Sequence, residues 1–292
     1  MANYILDENA PSPYDSEKYF QEASERYAAL IEENHNEPVY QDFFERNPAF
    51  MPGVHELIGA SSFAPLHNAL ISQPRLVSDI MTKVPDFMWI ARDSLSLCPV
   101  IIEIEKPSKA EFRKQSDVGL QLFNQALGQI IHWKALLSTD SGKQYFYDNF
   151  GIPDEWRKLK FTPQYLLVYG RRQEYAGNEA LSHIRKEYEN SDIRIASFDR
   201  LAIPDKNVLD CFTCKVKQGK YIVQHIPPTF VFKPNTIAYI NGYEGIQGFE
   251  EAVKRMEYTS EDRKAFLLSR FEYWKEYGKN GNYGIIYSSD AE

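Results

Sequence analysis

Two short segments hold the residues best suited to chemistry. Pro85-Asp86 opens one apolar run, and Glu103-Ile104-Glu105-Lys106-Pro107 closes another. Val100-Ile101-Ile102 leads into the second segment as a β-branched strand that Pro107 ends. Alternate residues of a strand face the same side, so Glu103 and Glu105 present two carboxylates together. Asp86-Phe87-Met88-Trp89-Ile90-Ala91 reads as the preceding strand and Asp93 to Pro99 as a turn, which pairs the two as a hairpin. Asp86 then joins Glu103 and Glu105 at one strand end. Converging acids repel one another unless a cation sits among them, and oxygen-only ligands suit Mg²⁺ or Mn²⁺. Such an ion can activate water and offset charge on a phosphate in transfer. The plain alternative is a pair of solvated acids on an edge strand. Ile102 and Ile104, which face the other way and read as core, weigh against it.

The elements that must position these acids follow from periodicity. Asp15 or Ser16 can cap a helix to about Asn34, with Tyr19, Phe20, Ala23, Tyr27, Leu30 and Ile31 on one face. A short helix, Val39 to Arg46, stops at Asn47-Pro48. Arg75 to Ile80 reads as a strand. A long helix spans about Asp117 to Leu137, with Leu120, Phe123, Leu127, Ile130 and Lys134 in one stripe and Gln121, Gln125, Gln129 and His132 in another. Strands at Tyr165 to Tyr169 and Ile193 to Ser197 enclose a helix from about Asn178 to Glu189. Strand–helix–strand–helix–strand is an α/β order. Beyond Asp210, Cys214 to Lys217 and Tyr221 to His225 flank Gln218-Gly219-Lys220 as a hairpin. A last helix covers about Ser260 to Tyr277, and Gly278 to Glu292 reads as loose. Trp156, Trp274 and Tyr273 read as exposed interface residues.

The Pro-Asp and acid-x-acid spacing resembles the PD-(D/E)XK nuclease motif. Asp86 matches its first acid and Glu103 its second; the third position, ordinarily Lys, is Glu105, with Lys106 next. Glu105 would serve as base or further ligand, Lys106 could reach the site through a local twist, or the site could be impaired. Gln129 to Trp133 is similar to the Gln-x-x-x-Tyr element of related nucleases, with Gln125 one turn earlier, and either Gln could position water or the scissile phosphate. A fuller resemblance runs in order through Tyr40 to Pro48, Pro85-Asp86-Phe87, Glu103 to Pro107, Gln125 to Trp133, Leu167 to Arg171 and Ala196 to Leu201. These blocks resemble the Shedu (SduA-type C-terminal) family of anti-phage nucleases over about residues 37–205.

The resemblance implies an α/β fold with a PD-(D/E)XK restriction-endonuclease-like core: a central mixed sheet flanked by helices, with a small C-terminal β-plus-helix extension. Residues 1–36 would be a tail and helix, 37–205 the nuclease-like domain, and 206–292 the extension. It implies a metal-dependent DNA endonuclease or nickase in bacterial anti-phage defence, acting as a homo-oligomer on phage or plasmid DNA. Asp86, Glu103 and Glu105 would hold Mg²⁺ or Mn²⁺, with Glu45 as a possible addition. Lys106, Lys109, Arg113, Lys114, Arg171 and Arg172 would meet the DNA backbone. Rival readings are a catalytically impaired DNA- or protein-binding member and a nuclease acting on RNA.

Composition limits other classes. The 292 residues carry a formal charge of −8, which looks hostile to nucleic acid. The excess is local: residues 1–60 hold 12 acids and 3 bases, whereas residues 106–220 hold 14 acids and 19 bases. The acidic segment should therefore sit away from the DNA path. No apolar run approaches a membrane span, and the start is not a secretory signal. Three cysteines make no disulfide framework, so a cytoplasmic setting follows, and Cys211-Phe212-Thr213-Cys214 reads as free thiols in a strand. Neither a P-loop nor a nucleophile elbow is present.

Overall fold

The apolar run around Val100 becomes the axis of the sheet. The computed structural model describes residues 4–33, 35–52, 65–79, 81–109, 118–202, 209–234, 245–279 and 290–292. Its strands are β1 (Ala69–Ser72), β2 (Leu76–Val77), β3 (Thr82–Lys83), β4 (Phe87–Arg92), β5 (Ser96–Ile104), β6 (Lys160–Phe161), β7 (Gln164–Val168), β8 (Ile193–Ala196), β9 (Phe212–Lys217), β10 (Lys220–His225) and β11 (Ile246–Gln247). Eight form the path β11-β10-β9-β1-β4-β5-β7-β8, and β6 also pairs with β5. β4 and β5 are the antiparallel hairpin read from sequence, whereas β5–β7 and β7–β8 run parallel. The sheet is thus mixed, and the architecture is α/β. The strand read over Arg75 to Ile80 shrinks to Leu76–Val77, which pairs only with β3. The turn read over Asp93 to Pro99 is tighter than expected, because β5 already starts at Ser96.

Both sheet faces are covered. Helices α1 (Ser16–Glu32) and α2 (Glu37–Arg46) bring Tyr19, Tyr27, Tyr40, Phe43 and Phe44 onto Phe87, Trp89, Val100, Ile102 and Ile104. Asp15 caps α1 by accepting from Lys18 N at 2.7 Å. Pro38 sits in the first turn of α2, where its missing N–H costs nothing. On the other face, α3 (Val118–Ser138) packs Phe123, Ala126, Ile130, Trp133 and Leu137 against Met88, Ile90 and Ile101. The buried stripe is therefore rotated from the one the sequence suggests: Trp133 is core, and Lys134 reaches outward to Asp192 at 2.6 Å.

The C-terminal strands extend the same sheet, since β9 pairs in parallel with β1. Trp156 and Trp274 are 2% and 0% exposed, so both are core rather than surface residues. Arg92 lies over the Trp156 ring, 4.7 Å from its centroid. The end of the chain, read as loose, is tied down over residues 290–292. Glu292 exchanges backbone hydrogen bonds with Phe232 at 2.8 and 3.0 Å. Residues 280–289 lie outside the described residues. Cys211 and Cys214 are buried and form no disulfide, and none of the helices among the described residues is long and apolar enough to cross a membrane.

Candidate active site

The hairpin register fixes the acids. Phe87 pairs with Ile102, so Asp86, just before β4, and Glu103, near the end of β5, lie at the same end of the hairpin. Glu103 projects to the same face as Ile101, the face that α3 covers. Asp86 is anchored twice at the strand end. Its carbonyl accepts from Gln73 N at 2.7 Å, and its Oδ2 accepts from Ile104 N at 2.8 Å. Glu105 stands one residue past β5, with its N–H donating to Val168 O at 2.9 Å across to β7. Glu103 and Glu105 are buried, 8% and 7% exposed.

Burial governs the electrostatics of this pair. It raises the Asp86 carboxyl from 3.8 to about 7, and Glu37 adds to the rise. It raises Glu103 from 4.5 to about 10, with the Asp86 charge next in importance. The charge of each carboxyl acts on the other, which disfavours ionising both together. Glu103 Oε2 is buried with no hydrogen-bond partner. A buried carboxylate oxygen without a partner costs free energy that a bound cation would recover.

The donor set is hard oxygen, which fits Mg²⁺ or Mn²⁺. Among the described residues, no three His, Cys, Asp or Glu side chains close into a metal cage. Two carboxylates are nonetheless enough for Mg²⁺, because it keeps several waters and takes substrate phosphate oxygens as ligands. Asp86 and Glu103 fit that demand.

The other sequence candidates are dispersed. Glu105 is ion-paired with Lys109. Lys106 donates instead to Asn36 Oδ1 at 2.8 Å. Gln125, Gln129 and His132 lie on the exposed side of α3, on the sheet face that carries the acids. Neither Gln makes a hydrogen bond to the acids among the described residues. Arg171 is occupied by Asp199, Glu32 and the Ile31 carbonyl at 2.9, 2.8 and 2.6 Å. Arg172 is exposed. Arg113 and Lys114 lie outside the described residues.

Helix α2 brings an acid that sequence reasoning missed. Glu37 is half-buried, and its carboxyl is raised by burial first and the Glu105 charge second, with Lys109 and Lys106 opposing. Glu45, two turns and about 12 Å further along the axis, accepts from Ser72 Oγ at 2.5 Å and Gln41 Nε2 at 3.1 Å. The acid that α2 adds beside the hairpin is thus Glu37. The spacing Glu37-Gln41-Glu45 marks one polar stripe, but only the fold shows which end meets the hairpin.

Fold and site define a class: an α/β protein whose mixed sheet carries a carboxylate pair, Asp86 and the buried Glu103, at the end of its central hairpin. The sequence profile described as Shedu protein SduA, C-terminal, matches residues 34–202. That is more than half of the chain, and it contains α2, the hairpin and α3. The chain belongs to this Shedu family, and membership implies a part in anti-phage defence. No curated protein matches the chain significantly.

Proposed function

We propose that the chain is a divalent-metal-dependent endonuclease or nickase of the PD-(D/E)XK type that hydrolyses DNA phosphodiester bonds in anti-phage defence. The observation that carries this reading is the Asp86–Glu103 pair: a half-buried and a buried carboxylate whose charges act on each other at the end of adjacent strands, with Glu103 Oε2 lacking a hydrogen-bond partner. Asp86 and Glu103 would hold Mg²⁺ or Mn²⁺. When bound, the ion would supply Lewis acidity to the phosphate and to water.

The chain's own residues set the remaining steps. Glu105 would take the proton of the attacking water. The water oxygen bonds to phosphorus, the bond from phosphorus to the leaving sugar oxygen breaks, and that oxygen takes a proton from solvent. Gln125 and Gln129, on the α3 wall, would orient the water or the phosphate. Lys109 and Arg172 would meet backbone phosphates, with Lys106 and Arg171 in reach only after leaving Asn36 and Asp199. A homo-oligomer would pool these bases.

Supercoiled, linear and single-stranded DNA and single-stranded RNA, each incubated with the full chain and Mg²⁺ or EDTA, test the reading. Nicking or linearisation of supercoiled DNA in Mg²⁺ alone is the expected result. Cleavage of RNA only would replace the substrate, and no cleavage of any of the four would reject hydrolysis.

A further inference from the structure

Lysine is missing from the third motif position, where Glu105 stands, and Lys106 is engaged with Asn36. The positive charge at the acids comes from further along. The Lys109 ammonium is ion-paired with Glu105, and the two side chains are 27% and 9% exposed. Two backbone features hold it there. The chain turns at Pro107-Ser108, with Lys109 N donating to Lys106 O at 3.0 Å. The Lys109 carbonyl then seats against Gly170, which follows β7 with φ +62°; a Cβ on Gly170 would lie 3.1 Å from Lys109 O. Only glycine combines that dihedral with so close an approach at low cost. Lys109 also opposes the rise of the Glu37 carboxyl, so its charge reaches that acid as well as Glu105.

We propose that Lys109 supplies the site's catalytic cation in place of the absent motif lysine, with Glu105 as its tether. The inference rests on the hydrolysis reading above. Lys109 keeps its proton throughout. As Glu105 takes the proton of the attacking water, the ammonium turns to the non-bridging oxygens of the phosphate, where negative charge builds up.

The test uses the full chain and supercoiled DNA in Mg²⁺. Lys109→Ala and Lys109→Gln should each slow cleavage by about 100-fold. Lys109→Arg keeps the cation and should retain a rate about tenfold above that of Lys109→Gln. Melting in EDTA gives a metal-free readout. Lys109→Ala strands the buried Glu105 carboxylate and lowers Tm, and Glu105→Gln in the same chain should return most of the loss. If the unaltered chain cleaves and Lys109→Ala cleaves equally well, the inference falls while hydrolysis stands. Equal rates for Lys109→Arg and Lys109→Gln also overturn it. No cleavage by the unaltered chain overturns both.

Discussion

Asp86 and Glu103 carry opposite-strand positions and one shared problem, a charge that burial disfavours. Both titrate higher in the folded chain than their ordinary 3.8 and 4.5, at about 7 and about 10. The folded state therefore binds more protons than the unfolded one across that interval, and metal-free stability must fall as pH rises through it. Melting in EDTA should give a lower Tm at about pH 8 than at about pH 6, and Mg²⁺ should raise Tm more at the higher pH. Asp86→Asn combined with Glu103→Gln should flatten the slope, and a slope unchanged by that pair would refute the assignment. These two residues are legible in sequence because strand alternation and a hairpin need only local rules. Glu37 is not, because its approach depends on how α2 docks at the sheet end. Nor is the Lys109 contact, which depends on a turn and on Gly170.

The elements show the same division. The hairpin β4–β5, the parallel strands and the long helix all follow from β-branched runs and apolar periodicity. The buried stripe of α3 does not, because Trp133 belongs to the core and helical periodicity alone leaves two stripes open. The C-terminal helix Glu261–Lys279 is also readable, but its partners are not. Arg270 Nε and Trp274 Nε1 donate to Glu292 at 2.5 and 2.8 Å, and Asp7 N donates to the same carboxylate at 3.0 Å. Arg263, 1% exposed, donates to the carbonyls of Pro11 and Phe230 at 2.8 and 2.9 Å. Polar sequence at both ends suggests looseness; buried tertiary bonds override it. Glu292→Ala should destabilise the fold by about 1–3 kcal/mol, because it strands a buried indole N–H and a guanidinium. Thermal melting reads this directly, and an unchanged Tm would show that the clasp contributes nothing.

At the scale of the whole molecule, a charge of −8 does not decide against nucleic acid. Charge distribution along the chain predicts an acidic N-terminal segment lying away from the DNA path, yet its helix α2 delivers Glu37 to the carboxylate cluster. Part of the acidity is therefore the site itself, where a bound divalent cation would offset two charges. Family membership over residues 34–202 joins this geometry to anti-phage defence. The proposed hydrolysis rests on the carboxylate pair. The most direct measurement is the rate of supercoiled-DNA nicking in Mg²⁺ for the full chain beside Asp86→Asn and Glu103→Gln, with folding checked by circular dichroism. Both variants should remain folded and lose at least about 100-fold in rate; nicking at the unaltered rate by either folded variant would contradict the account.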